Sequence, residues 1–199
     1  MNRWDERYAA EGYFYGTEPN DFLRDRYTAI PADGEVLCLG EGEGRNAVFL
    51  AQHGRRVVAL DQSALGLRKA EQLAASRSVR IATLQADLTS YAIEPLRWDG
   101  IVSIWCHLPS ALRADVHRRV VTGLRPGGVF LLEAYTPDQI ACGTGGPKEI
   151  DLLPTLADLR RELVGLDLVH AVERERVVVE GRGHSGLSAV VQVLARKPA

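Results

Sequence analysis

Three glycines alternate with two glutamates in Gly40-Glu41-Gly42-Glu43-Gly44, directly after the apolar run Val36-Leu37-Cys38-Leu39 and before Arg45-Asn46. Glycine at such places lets backbone approach a ligand closely, and a helix starting after the turn offers N–H groups and a positive dipole end. An acid, Asp61, follows with Gln62 beside it. It lies about 20 residues beyond the first glycine, where a carboxylate meets the ribose hydroxyls of a bound nucleoside. A second acid, Asp87, precedes Leu88 after a further apolar run. The chemistry these residues suggest is the holding of an adenosine-like group.

A second set of residues suits a reacting partner. Ile104-Trp105-Cys106-His107-Leu108-Pro109 leaves a fourth apolar run at its end, where open α/β sheets build their reactive crevice. His107 is the acid/base candidate, because a neutral imidazole near physiological pH accepts or orients a proton; the alternative is a capping or buried hydrogen-bonded histidine. Cys106 reads as a small apolar wall residue rather than a nucleophile. Lys148, in the glycine-rich stretch, and Arg182 and His184, between the last two apolar runs, are expected to wall the acceptor site. Lys148 and Arg182 could meet an anionic substrate, although each taken alone reads more readily as a solvent-exposed charge. Trp4, Tyr8, Tyr13, Phe14 and Tyr15 are expected to close over the ligand, the alternative being packing on a sheet edge.

The elements that must position these groups alternate. Strands are expected at Glu35–Leu39, Arg56–Leu60, Arg80–Leu84, Gly100–Ile104 and Val129–Glu133, each short and rich in Val, Ile or Leu. Helices are expected at Arg45–His53, Ala64–Ser76 with Ser63 as N-cap, Pro109–Thr122, and Thr155–Leu163 with a Thr155/Asp158 capping box. The last two strands, Leu168–Val179 and Leu187–Ala195, are joined by residues 180–186, too few for a crossover helix, so they should pair antiparallel. The fold class is α/β: a Rossmann-like, mostly parallel seven-stranded sheet with helices on both faces and a C-terminal antiparallel hairpin. One domain over 1–199 is expected, with a lid segment (1–30), a nucleoside-binding core (31–135) and an acceptor-site part (136–199).

Two ligand classes bind adenosine at such a switch point. A dinucleotide fingerprint wants a small residue three places after Gly42, yet Arg45 stands there and the glycine falls at Gly44. GxGxG favours S-adenosylmethionine (SAM). The turn Gly40–Gly44, Asp61, Gln85-Ala86-Asp87-Leu88, Trp98-Asp99-Gly100-Ile101-Val102 and Leu124-Arg125-Pro126-Gly127-Gly128-Val129 resemble successive motifs of class I SAM-dependent methyltransferases. Trp4-Asp5-Glu6-Arg7-Tyr8, Tyr15-Gly16-Thr17-Glu18-Pro19-Asn20 and Glu41–Asn46 are similar to the tellurite-resistance and thiopurine-methyltransferase-like group within it. The resemblance implies that Gly40, Glu41, Gly42 and Gly44 surround the methionine portion, that Asp61 and Gln62 meet the ribose, and that Asp87 and Leu88 meet the adenine. A sulfonium against Tyr15 would be a cation–π contact. It further implies methyl transfer to a small acceptor, a thiol, metalloid oxyanion or similar, with S-adenosylhomocysteine (SAH) as product. One departure stands out: many relatives carry an acid where this chain has Cys38. The alternative is a non-catalytic SAM or nucleoside sensor on the same fold.

Composition narrows the partners. A formal net charge of −2 and a pI of about 6.2 give no field for attracting nucleic acid or anionic membrane. Three scattered cysteines, Cys38, Cys106 and Cys142, suggest neither a disulfide framework nor a metal site. No signal-like or membrane-length apolar run is seen, so a cytoplasmic location is expected.

Overall fold

The computed structural model describes residues 3–199. Two short helices, α1 (Arg3–Tyr8) and α2 (Asp21–Arg26), precede β1 (Glu35–Leu39), α3 (Arg45–Gln52), β2 (Arg56–Asp61), α4 (Ala64–Ser76) and β3 (Ala82–Gln85). There follow β4 (Trp98–Ile104), α5 (Ser110–Gly123), β5 (Leu124–Tyr135), α6 (Gln139–Cys142), α7 (Leu156–Glu162), β6 (Asp167–Glu180) and β7 (His184–Arg196). Residues 1 and 2 of the expected lid lie outside the described residues.

The strands form one seven-stranded sheet in the order β3-β2-β1-β4-β5-β7-β6. β1 to β5 are parallel, and β7 runs antiparallel to both β5 and β6. This is the expected Rossmann-like sheet with its terminal hairpin.

Side-chain alternation along the central strands explains the layers. Leu37 and Leu39 share one face with Ile101, Phe130 and Leu132, covered by Val116 and Val120 of α5 and Leu159 of α7. Val36 and Cys38 share the other with Ala59, Val102 and Leu131, covered by Ala47 and Leu50 of α3, Leu67 of α4 and Phe22 and Leu23 of α2. Both faces are therefore dry, which is why these strands read as continuous apolar runs. Each buried Leu or Phe contributes about 1.5–3 kcal/mol relative to exposure.

The expected caps are present: Ser63 Oγ accepts from Gly66 N at 3.0 Å, and Thr155 and Asp158 form the capping box. Three differences have physical reasons. β5 begins at Leu124, because Leu124 already pairs with Trp98 before an irregularity at Trp98/Gly100, so the Leu124–Gly128 turn lies within the strand. The last hairpin is tighter than expected, since pairing persists through Val179↔Ser185 and Glu180↔His184 and leaves a tip of residues 181–183. α1, α2 and α6 were not expected; each is six residues or fewer, below the length at which apolar periodicity shows.

Candidate SAM site

The C-terminal ends of β1, β2, β3 and β4 open on one cavity of about 600 Å³. Its lining joins Gly40, Glu41, Asp61, Gln62, Asp87 and Leu88 from the first three strand ends with Trp105–Pro109 after β4, and with Tyr15, Gly145–Pro147 and His184. Most of the two residue sets read from the sequence thus meet in one place, but Gly42 and Gly44, expected at the methionine portion, do not line the cavity, because they pack against Tyr8 and Ala70.

At the β1 end the turn is built for close approach. Gly42 has φ 63°, and a Cβ there would lie 2.4 Å from the Tyr8 hydroxyl oxygen. Gly44, the N-cap of α3, has φ 90°, and its Cβ would meet Ala70 Cβ of α4 at 2.4 Å. The N-terminus of α3 is not open to a ligand as expected: Asn46 N and Ala47 N donate to Glu41 Oε1 at 3.0 and 2.8 Å. Burial pushes the Glu41 carboxyl up to about 7, partly offset by Ala47 N–H and Arg45. Burial, then the neighbouring Glu41, holds Cys38 as a thiol well above its usual range. Glu41 therefore stands beside Cys38. Glu43 instead anchors the N-terminal segment. Its Oε2 accepts from Phe14 N at 2.7 Å and Tyr15 N at 3.3 Å, and its Oε1 pairs with Lys69 at 3.0 Å.

Asp61 is buried, with Oδ2 accepting from Gly42 N and Oδ1 from Ser63 N, both at 2.8 Å. Burial raises its carboxyl above the ordinary range, outweighing the N–H groups of Ser63 and Gly42. Asp87 lies at the cavity rim and forms an Asx turn, Oδ1 accepting from Thr89 N at 2.8 Å, which lowers its pKa. Arg119 donates to the carbonyl of the adjacent Leu88 at 2.7 Å and fixes that loop.

The acceptor side corrects several expectations. His107 Nδ1 meets Trp105 O at 3.0 Å, and Nε2 accepts from Tyr135 N at 3.2 Å. Both ring nitrogens are thus occupied by backbone, and burial pushes the imidazole down to about 4. In this ligand-free arrangement neither ring nitrogen is free to take a proton from an acceptor, which is the buried hydrogen-bonded alternative the sequence offered. His184 is buried between the rings of Tyr15 (4.8 Å) and Trp105 (5.0 Å), bonds Tyr135 Oη at 2.8 Å, and is pushed down to about 3, chiefly by burial. Burial pushes the Cys106 thiol up to about 12. Lys148 and Arg182 are exposed and do not line the cavity, because the loop turns inward through Gly145–Pro147 and the tip through Gly183 and His184.

Sequence reasoning missed the support beneath this wall. Trp105 sits at φ 57°, stacks on Tyr135 at 4.4 Å and donates Nε1–H to Glu180 Oε2 at 2.6 Å. Glu180 also pairs with Arg45, and with Arg176 at 3.0 Å. Arg176 pairs with the wholly buried Glu133 at 2.7 Å, and Asn20 Nδ2 bridges Glu133 and Glu180 at 2.5 and 2.9 Å. The one available signal was charge inside apolar strands at Glu133 and Glu180.

Tyr15 lines the cavity as expected, with its hydroxyl accepting from Arg7 Nη1 at 2.6 Å. Backbone bonds from Arg182 N to Phe14 O, at 2.8 Å, seat this segment on the hairpin tip.

Residues 36–128 match the methyltransferase domain family. That stretch holds the glycine turn, Asp61, Asp87 and His107. A 2-heptyl-1-hydroxyquinolin-4(1H)-one methyltransferase of Mycobacteroides abscessus is 29% identical over 113 residues, covering 53% of this chain and 50% of that protein. The match thus spans half the length of the curated relative. Among solved structures, one determined for the conversion of a disulfide bond into a thioacetal group during echinomycin biosynthesis has a TM-score of 0.79 at 19% identity, over 98% of this chain and 90% of that one. TehB from Haemophilus influenzae follows at 0.73 and 18%, over 98% and 65%. The N-methyltransferase NodS from Bradyrhizobium japonicum WM9, in complex with SAH, gives 0.71 and 17%, over 98% and 97%. At these identities the likeness is one of fold. The matched methyltransferase domain agrees with SAM as the cofactor. Among the described residues no helix is long and apolar enough to cross a membrane, and no His, Cys, Asp and Glu cluster is arranged to hold a metal ion.

Proposed function

We propose that this chain is a SAM-dependent methyltransferase acting on a small-molecule acceptor. The observation that carries the reading is the convergence of Gly40, Glu41, Asp61 and Asp87 on the same cavity as the Trp105–Pro109 segment. The residues present fit the cofactor: Asp61 offers a carboxylate already oriented by two N–H groups to the ribose hydroxyls, Gln62 lies beside it, and Asp87 and Leu88 border the adenine end. The backbone of Gly40 and Glu41 borders the methionine portion. When bound, SAM supplies an electrophilic methyl group on a sulfonium.

The chain's own work is positioning and drying. Holding two reactants in an in-line arrangement is worth roughly 7–11 kcal/mol, so a nucleophilic acceptor needs no strong base. With both ring nitrogens of His107 bonded to backbone and His184 Nδ1 bonded to Tyr135 Oη, an acceptor that arrives ionised suits the site. Tyr15 and Trp105, with Leu108, Leu112 and Leu152, form an apolar wall that excludes water, and Tyr135 backs Trp105 from behind. With Lys148 and Arg182 outside the cavity, a thiolate or an ionised hydroxy-heteroarene fits this wall better than a metalloid oxyanion. The named substrate of the M. abscessus relative falls in the second class. Kinship with the tellurite-resistance and thiopurine group is part of the same reading, as are a single domain, a cytoplasmic location and the absence of a nucleic-acid partner.

The test is mass spectrometry of mixtures holding SAM and a panel of thiols, hydroxyquinolones, tellurite and small amines. A product heavier by one methyl group is expected from a thiol or hydroxyquinolone. SAH binding without any methylated product would favour the sensor reading. With a productive acceptor, the acid limb of the rate profile should follow the acceptor's own pKa and survive His107→Asn; loss of that limb would restore His107 as the base.

A further inference from the structure

His184 is 6% exposed, and its ring lies between those of Tyr15 and Trp105, inclined to them by only 21° and 27°. With its faces covered, the imidazole meets other groups through its edge. Nδ1 is bonded to Tyr135 Oη at 2.8 Å. Nε2 has no hydrogen-bond partner among the described residues, yet it is not sealed inside protein, and His184 lines the cavity. Nε2 therefore opens on the cavity. The Tyr135 hydroxyl decides what Nε2 carries. Burial pushes the phenol up, so Oη keeps its proton, and a phenol donates better than it accepts because the ring draws on its lone pairs. The imidazole nitrogen is the strongest acceptor that Oη meets, so Tyr135 donates to Nδ1 and the ring proton sits on Nε2. Burial also holds the ring neutral. The cavity thus contains an uncharged N–H donor, fixed in direction by two flanking rings and by one hydroxyl behind it.

We propose that His184 Nε2–H is a specificity contact that donates to a ring oxygen of a flat heteroaromatic acceptor whose second heteroatom takes the methyl group; this rests on the SAM reading above. In an ionised hydroxy-heteroarene the negative charge is shared through the ring by two heteroatoms. A hydrogen bond to one of them holds the molecule and leaves the lone pair of the other for in-line attack. In a simple thiolate the charge and the nucleophile are the same sulfur, so a bond from Nε2–H would tie up the pair that must attack. A buried donor also disfavours a ligand that offers it nothing, because the donor is then left unpaired. Trp105, Leu108, Leu112, Pro147 and Leu152 line the same cavity and suit the faces of a flat ring. The attacking heteroatom gains the methyl carbon, sulfur keeps the electron pair of the broken bond, and the acceptor's charge is neutralised without a proton passing through His184.

Steady-state kinetics with 1-hydroxyquinolin-4(1H)-one and with thiophenol, whose only heteroatom is the nucleophile, test the assignment alongside SAH calorimetry. The variants are His184→Phe, which keeps a ring between Tyr15 and Trp105, His184→Gln, which restores an N–H donor, and Tyr135→Phe, which keeps the ring behind Trp105 and releases Nδ1. KM for the hydroxyquinolone should rise about 10- to 100-fold in His184→Phe, by less in Tyr135→Phe, and recover in part in His184→Gln. KM for thiophenol and SAH affinity should stay within about twofold of wild type in all three. An equal rise in KM for both acceptors would overturn the proposal, because it would make His184 a packing residue. A fall in kcat for the hydroxyquinolone at unchanged KM would also overturn it and assign His184 to the chemical step. So would methylation of thiophenol but not of the hydroxyquinolone by wild type. Wild type that binds no SAH, or methylates neither acceptor, would instead refute the reading on which the proposal stands.

Discussion

Asp61 receives two backbone N–H groups before any ligand arrives, so its orientation is set by the fold and not by the ligand. Asp61→Ala should weaken SAH binding by about 1.5–3 kcal/mol, the usual worth of charge-assisted hydrogen bonds. Calorimetry giving wild-type affinity in a folded variant would remove Asp61 from the site. The two cavity histidines carry a second consequence. His107 is pushed down to about 4 and His184 to about 3, so between those values and roughly 6.5 the unfolded chain binds more protons than the folded one. Their contribution is present above about pH 6.5 and is lost as pH falls, by about 1–2 kcal/mol each at pH 5. Glu41, pushed up to about 7, acts with the opposite sign, and the useful quantity is the difference between proteins. Urea denaturation at pH 7 and pH 5 should show a smaller acid loss in His107→Asn than in wild type; equal losses would mean that His107 titrates normally. Asp61 was legible because its distance from the glycine turn along the chain is itself the signal. The buried alternative for His107 was offered but not chosen, because its partner, the Tyr135 N–H, lies 28 positions away and leaves no mark on the local sequence.

At the scale of elements, the alternation of dry strands and helices was readable because each strand is buried on both faces, and Ser63 and Thr155 announced two helix starts through their own hydroxyls. The register of the last hairpin was not, since Val177, Val179 and Leu187 are exposed and blur the contrast between faces. Nor was the role of Glu41: a carboxylate one residue after a strand gives no sign that it will fold back on the helix that follows. Gly44 joins these elements, because α3 begins there while α4 crosses at Ala70. Gly44→Ala adds a side chain at φ 90° and within 2.4 Å of Ala70 Cβ, so a loss of about 1–3 kcal/mol is expected. Thermal denaturation should show the loss in the ligand-free protein, and a melting temperature equal to wild type would mean that α3 and α4 separate at little cost.

Across the whole molecule, Glu180 ties regions far apart in sequence: Arg45 at the start of α3, Trp105 after β4, Asn20 ahead of α2 and Arg176 on its own strand. Such a network cannot be read from sequence, because pairing across 160 positions obeys no periodicity. Removing one member of a buried pair typically costs about 3–5 kcal/mol, since its partner is left charged without compensation. Glu180→Ala should therefore lower stability by about that amount and expose residues 9–18 to protease; resistance equal to wild type would show that the segment is held without it. Residues 14–15 are also clasped from both sides, by Glu43 and by the hairpin tip, where Gly181 packs so closely that a Cβ would lie 2.4 Å from Phe14 O. A door fastened to both jambs opens as a unit. On the proposed function, product departure is then the expected slow event of the cycle: mixing the protein and SAM with a productive acceptor should give a first turnover faster than those that follow, with the later rate equal to the rate at which SAH escapes.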